Sequence, residues 1–280
     1  MATSQPLYRL SDQSPAYQLR YSWCGWTETG NFQDLPADSW TALTAAWETD
    51  DLRLLKRSLQ DDTVQLTFSA TPSVSPIFLA ARAKGRLQHA LRKAKVKPVE
   101  FSRKLAVRSI GDNTASDVEK YIESQVSSAG FVDADFAKFL EQFTVNDRSI
   151  DLSQPTESNS GRYWYNLHLV LVTDGRHRFV DEPSLRQLRD GSLKIGAKKG
   201  YRISALSVMP DHLHVALRGA IDQSPDQIAL AFQNNLAFMV NRGAIWRPGF
   251  YVGTFGEYNM NAIRMRVRAE SASPATLGGR

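Results

Sequence analysis

The sequence predicts an α/β protein built from two similar halves, and three observations carry that prediction. Short runs rich in β-branched and aromatic residues alternate with longer stretches of helical spacing. A stretch rich in Ser, Asn, Asp and Pro at residues 145–161 divides the 280-residue chain near its middle. Landmarks also recur in the same order in both halves. Tyr17–Tyr21 lies over Tyr165–Leu169 at an offset of 148 residues. Val64–Leu66 lies over Leu213–Val215, and Ser75-Pro76 over Ser224-Pro225, at 149. Gly111-Asp112 lies over Gly256-Glu257 at 145. A near-constant offset held across the chain argues for an internal duplication.

The expected divisions are a first half at 1–127, a connecting helix and polar linker at 128–160, a second half at 161–270, and a disordered small-residue tail at 271–280. In the first half, Tyr17–Trp26 reads as a strand. Leu43, Trp47, Leu52, Leu55 and Leu59 recur at three to five residues and predict a helix over 38–58. Residues 62–68 alternate as a strand does. Ser75-Pro76 opens a helix to about Lys95, with Ser as N-cap and Pro in the first turn. A strand over 99–110 and a helix over 114–125 complete the half. Phe131, Phe136, Phe139, Leu140 and Phe143 line the connecting helix. The second half repeats the order: strand 163–172, a helix over 183–199 weakened by Gly191 and Gly196, strands 201–208 and 212–217, helix 225–240, strand 250–254 and helix 257–268.

Composition excludes several classes. Hydrophobic residues at 42% against 22% charged suit a globular chain. No run of 18 apolar residues offers a membrane span, and the N-terminus lacks the layout of a signal peptide. One cysteine, Cys24, rules out an internal disulfide and a Cys-rich zinc site. These features together indicate a cytoplasmic protein. Net charge is +5, and it is uneven: residues 161–280 hold 16 basic against 9 acidic side chains. A second basic block runs from Arg82 to Arg108 and includes Arg86 and Arg92. Such a block is either a solvated helix face or a phosphate-contacting surface.

The chemistry concentrates at Val208-Met209-Pro210-Asp211-His212-Leu213-His214-Val215. Two of the five histidines stand here, one residue apart, on a strand that follows a Pro-Asp turn. Strand side chains alternate, so His212 and His214 point to one face and Leu213 and Val215 to the other. Paired imidazoles on a rigid strand are a divalent-metal grip; they are equally a chance pair on a solvated face.

Met-Pro-Asp-His-Leu-His-Val resembles the His-hydrophobe-His motif of HUH single-strand nucleases, closest to the single-tyrosine transposases of insertion sequences and their REP-associated relatives. Tyr165-Asn166-Leu167-His168-Leu169-Val170 is similar to that family's first strand, and Tyr258 sits where its nucleophilic tyrosine is expected. The resemblance covers roughly residues 161–269. It implies two ferredoxin-like or RRM-like domains, each an antiparallel sheet with helices, fused as an internal pseudo-dimer with a degenerate first half. It implies Mg²⁺ or Mn²⁺ on His212 and His214, and single-stranded DNA, including hairpin-forming DNA, as substrate. The family carries a polar third ligand, often Gln or Asn, four residues after the tyrosine. That position here is Ala262, so Asn261, or else Glu257, is the candidate, with His168 as a group that orients a ligand. Arg264, Arg268 and Arg247, with Arg86 and Arg92, are the expected DNA contacts. In the first half, Thr63 and Gln65 align with His212 and His214, Arg20 with His168, and Asn113 with Tyr258. The expected enzyme is a monomer that joins Tyr258 to its histidines within the second half. It would cleave and rejoin DNA through a 5′-phosphotyrosine. The alternatives are a non-catalytic DNA-binding regulator and a metal-dependent phosphodiester hydrolase.

Overall fold

Alternation along the chain folds into two six-stranded sheets with helices packed on them, in a computed structural model that describes residues 5–94 and 99–257. In chain order the elements are β1 (Ala16–Gln18), β2 (Arg20–Thr29), α1 (Ala37–Glu48), β3 (Leu52–Gln60), β4 (Thr63–Ala70), α2 (Pro76–Lys93), β5 (Glu100–Ile110), α3 (Ala115–Glu123), α4 (Gln125–Ser128), α5 (Ala134–Glu141) and β6 (Thr144–Asn146). They continue with β7 (Thr156–Ser158), β8 (Gly161–Trp164), β9 (Asn166–Val172), α6 (Glu182–Lys199), β10 (Arg202–Met209), β11 (His212–Arg218), α7 (Pro225–Val240) and β12 (Tyr251–Thr254).

One sheet has the order β3-β4-β2-β5-β8-β7 and the other β1-β12-β9-β11-β10-β6. Within them, β3-β4-β2-β5 and β10-β11-β9-β12 are antiparallel cores of the same order. The outer strands cross between halves. Strand β1 leads into β2 yet pairs parallel with β12; β8 leads into β9 yet pairs parallel with β5. The crossing is sealed reciprocally. Arg20 N donates to Thr254 Oγ1 at 2.8 Å, and Asn166 N donates to Ser109 Oγ at 3.0 Å. Thr254 Oγ1 in turn donates to the Ile110 carbonyl, and Ser109 Oγ to the Phe255 carbonyl. Gly111 and Gly256 sit at the centre. A Cβ on Gly111 would stand 2.3 Å from the Thr254 carbonyl oxygen, and one on Gly256 2.7 Å from that of Ser109.

Helices cover the apolar faces. Ser75 caps α2 by accepting from Phe78 N, and Ser224 with Gln227 forms a capping box on α7. Leu167, Leu169 and Leu171 of β9 and Leu213, Val215 and Leu217 of β11 are fully buried in the main core, which includes Phe232 and Leu236 of α7. The glycines expected to weaken helix 183–199 do not break it; α6 is continuous. Gly191 lies where α7 crosses, and a Cβ there would meet Met239 Sδ at 2.7 Å.

Two expectations are corrected. The helix expected over 38–58 ends at Glu48; a turn with Asp51 in the left-handed region (φ 61°) leads into the edge strand β3. Leucines at 52, 54, 55 and 59 satisfy helical spacing and strand alternation alike, so spacing alone misplaced them. The polar linker at 145–161 starts within β6 and contains β7, and these strands hydrogen-bond to β10 and β8. The helix expected over 257–268 lies outside the described residues from Tyr258 onward.

Candidate active site

The Pro210-Asp211 turn reverses the chain between β10 and β11, and alternation then sets His212 and His214 on one face, with ring centroids 4.9 Å apart. Strand β9 brings His168 to the same face; its register partner on β11 is Ala216, so His168 meets His214 diagonally. Their rings stack at 5.3 Å, and His168 Nε2 stands 3.0 Å from His214 Nδ1, the two sharing one proton. Burial pushes His168 down to about 4. Burial, with the neighbouring His168 and His212, pushes His214 down to about 2. Both are neutral imidazoles near neutral pH, the form that ligates metal.

This face is not the solvated face that is one of the two readings of the histidine pair. His214 is only 6% exposed. Helix α3 of the first half lies across β10 and β11. Its start is fixed by a capping box in which Thr114 and Asp117 cap each other. Val118 and Ile122 bury into a small core with Ala205, Ala216 and Phe255, where two alanines let the helix come close to the sheet. One helical turn along that face is Tyr121. Its ring stands edge-on to His214 at 5.5 Å and to His168 at 5.9 Å, while the residue stays 52% exposed. Gln125 follows four residues later, and its Nε2 donates to the Tyr121 carbonyl at 3.0 Å. A second tyrosine, Tyr251 of β12, has its ring 6.0 Å from His168.

Sequence reasoning passed over Tyr121 and Gln125. The signal was present: a tyrosine and a glutamine at i and i+4 on a predicted helix. It was masked by the landmark alignment, which directs attention to Asn113. Ser22 pairs with Thr67 on β4 as His168 pairs with Ala216 on β11, so Ser22, not Arg20, holds the register position of His168. Gln65 Nε2 donates to Ser22 Oγ at 3.1 Å, in the place of the His214–His168 contact.

Of the other expected site residues, Tyr258, Asn261, Arg264 and Arg268 lie outside the described residues. Glu257 is exposed beyond the end of β12, and Arg92 and Arg247 are exposed. Arg86 is engaged: Nε and Nη2 donate to Asp50 at 2.9 and 3.1 Å, and the Arg86 hydrogen bond holds Asp50 below the usual carboxylate range. Among the described residues no three His, Cys, Asp or Glu side chains converge as a metal cage. The donors that fit a divalent ion are the Nε2 atoms of His212 and His214, whose Nδ1 atoms are occupied by Asp211 and His168. An amide oxygen such as that of Gln125 is the chemistry that would complete the set.

Residues 162–269 match the family described as Transposase IS200 like. This stretch is similar to that family, and the rest of the chain lies outside the match. The match to this family begins in β8 and takes in both motif histidines, His168 and Tyr258. The chain is also similar to the ISDra2 transposase TnpA of Deinococcus radiodurans, 27% identical over 130 residues that cover 41% of this chain and 93% of that protein. Two solved structures are similar as well. One is of a proposed transposase from Deinococcus radiodurans R1, 22% identical with a TM-score of 0.31, covering 38% of this chain and 89% of that one. The other is of a REP-associated tyrosine transposase bound to a REP hairpin, 17% identical with a TM-score of 0.30, covering 37% and 62%. No helix of the described residues is long and apolar enough to cross a membrane.

Proposed function

We propose that the chain is a single-stranded DNA transesterase of the IS200-like transposase type, with one composite active site drawn from both halves. The observation that carries this reading is the seat of Tyr121 against His168 and His214. In this reading Tyr121 Oη attacks the scissile phosphorus in line and the 3′-oxygen leaves with a proton. The products are a 5′-phosphotyrosine and a free 3′-OH, and attack by a 3′-OH reverses the step. A bound Mg²⁺ or Mn²⁺ would polarise a non-bridging phosphate oxygen and offset developing charge. His212 and His214 would hold it through Nε2, with Gln125 as third ligand, and His168 fixes the tautomer of His214 by accepting from its Nδ1.

The pattern of losses supports the same reading. The first half keeps Tyr121 and Gln125 but has Thr63 and Gln65 in place of the histidines. The second half keeps the histidines; at the 145-residue offset, Arg266 and Glu270 correspond to Tyr121 and Gln125. A fused pseudo-dimer in which each half supplies what the other lacks needs only one copy of each part. The matching core orders and the reciprocal strand crossing accord with such a fusion. It would act as a monomer with one site, on single-stranded or hairpin DNA, with exposed Arg92 and Arg247 among its phosphate contacts.

Tyr258, within the residues that match the family, is the competing nucleophile. Tyr121→Phe removes only the attacking oxygen from a half-exposed ring. It should eliminate the covalent adduct on labelled single-stranded DNA while binding persists. Tyr258→Phe should leave the adduct intact. An adduct that survives in Tyr121→Phe and maps to Tyr258 would transfer the nucleophile's role to that residue. Absence of any adduct with cleavage retained would favour the hydrolase.

A further inference from the structure

We propose that Asp211 and Arg176 are positioning residues, Asp211 holding the His212 ring so that Nε2 faces the site and Arg176 holding Asp211; this rests on the reading of His212 as a metal ligand. His212 Nδ1 stands 2.7 Å from Asp211 Oδ1. A carboxylate accepts, so the imidazole proton lies on Nδ1 and the Nε2 lone pair is left to the site. The other oxygen, Oδ2, accepts from Arg176 Nη1 at 3.1 Å. Asp in a Pro-Asp turn ordinarily spends its side chain on a nearby backbone N–H. Here, among the described residues, both oxygens go to side chains instead.

The support is built from the loop between β9 and α6. Thr173 N donates to the Asp211 carbonyl at 3.0 Å, and the Thr173 hydroxyl lies between the His177 carbonyl at 2.7 Å and the Asp211 carbonyl at 3.1 Å, with one proton for the two. Phe179, fully buried, donates its N–H to the Pro210 carbonyl at 2.8 Å. Arg176 reaches Asp211 from a left-handed backbone (φ 55°), a conformation that costs a non-glycine residue energy and persists where surrounding contacts impose it. The turn carbonyls, the carboxylate and the imidazole are thus held in series. His214 has a neutral counterpart in His168. The two ligands are therefore oriented by different chemistry, a carboxylate on His212 and an imidazole on His214.

Nitrogen-15 NMR of histidine side chains in the metal-free full chain reads the tautomer directly, and Mn²⁺ titration followed by EPR reads affinity. Wild type should show His212 protonated on Nδ1. Asp211→Ala should lose that bias and weaken Mn²⁺ binding about 10- to 100-fold. Asp211→Asn, which keeps an acceptor oxygen, should retain the tautomer and most of the affinity, and Arg176→Ala should cost only a few-fold. A wild-type His212 protonated on Nε2 would overturn the assignment, as would an Asp211→Ala chain with unchanged tautomer and Mn²⁺ affinity. Should Asp211→Ala fail to fold, the wild-type tautomer and the Asp211→Asn and Arg176→Ala titrations still decide. If His212→Ala leaves Mn²⁺ binding unchanged, the metal reading fails, and the tautomer measurement still judges Asp211 independently.

Discussion

Replacing Gly111 with Ala tests whether the strand crossing holds the two halves in one folding unit. Gly111 has ordinary negative φ, so the substitution carries no backbone strain and the effect is steric. The added Cβ would lie 2.3 Å from the Thr254 carbonyl oxygen and 2.9 Å from Phe255 Cα, about 1 Å closer than ordinary contact. Both are backbone atoms in a segment whose neighbours are hydrogen-bonded to Ile110 and Ser109, so neither moves cheaply. Overpacking of this kind costs about 1–3 kcal/mol, and a backbone partner points to the upper end. Gly85 is the internal control. It lies within α2, and a Cβ added there would meet nothing within 4 Å, so Gly85→Ala should stabilise by roughly 0.5–1 kcal/mol. The assay is urea unfolding followed by tryptophan fluorescence and by circular dichroism. Gly111→Ala should lower the midpoint of a single transition common to both probes. The two substitutions therefore shift stability in opposite directions for reasons visible in their surroundings. An unchanged midpoint in Gly111→Ala, or separate transitions for the two halves in wild type, would refute the reasoning.

Gln125→Ala should weaken Mn²⁺ binding roughly tenfold with little change in urea midpoint, since Gln125 is partly exposed and an ordinary surface change costs under about 0.5 kcal/mol; calorimetric titration checks this, and equal affinity would remove it as a ligand. His168 is held at about 4 in the fold against 6.5 unperturbed, so between those values the unfolded chain takes up a proton the native chain refuses. Stability is then full above about pH 6.5 and falls as pH drops, by on the order of 2 kcal/mol at pH 5 from His168 alone. A His168→Gln chain should show a flatter decline in urea unfolding free energy between pH 7 and 5, and an identical slope would contradict the assignment. Arg92→Ala should weaken single-stranded DNA binding and reduce its salt dependence, whereas Arg86→Ala should chiefly cost stability by leaving Asp50 with only the longer Arg82 contact at 3.6 Å. Fluorescence anisotropy at several salt concentrations separates the two.

By itself the sequence determined most of the local structure. Period-two alternation set His212 and His214 on one face, Ser-Pro pairs opened α2 and α7, and recurring landmarks marked two halves of like order. These features depend on neighbours within a few residues, and backbone geometry reads them directly. The leucines of β3 were misread because one spacing serves two periodicities, and only pairing with β4 resolves them. Tertiary structure alone decided what faces the histidines. Tyr121 is 93 residues from His214 in sequence. Helix α3 reaches across because strands β1 and β8 exchange between sheets and because Ala205 and Ala216 leave room for Val118 and Ile122. No local propensity encodes which of two similar sheets a helix will cover. That choice is made by burial of its apolar stripe, and it placed a first-half tyrosine on second-half histidines.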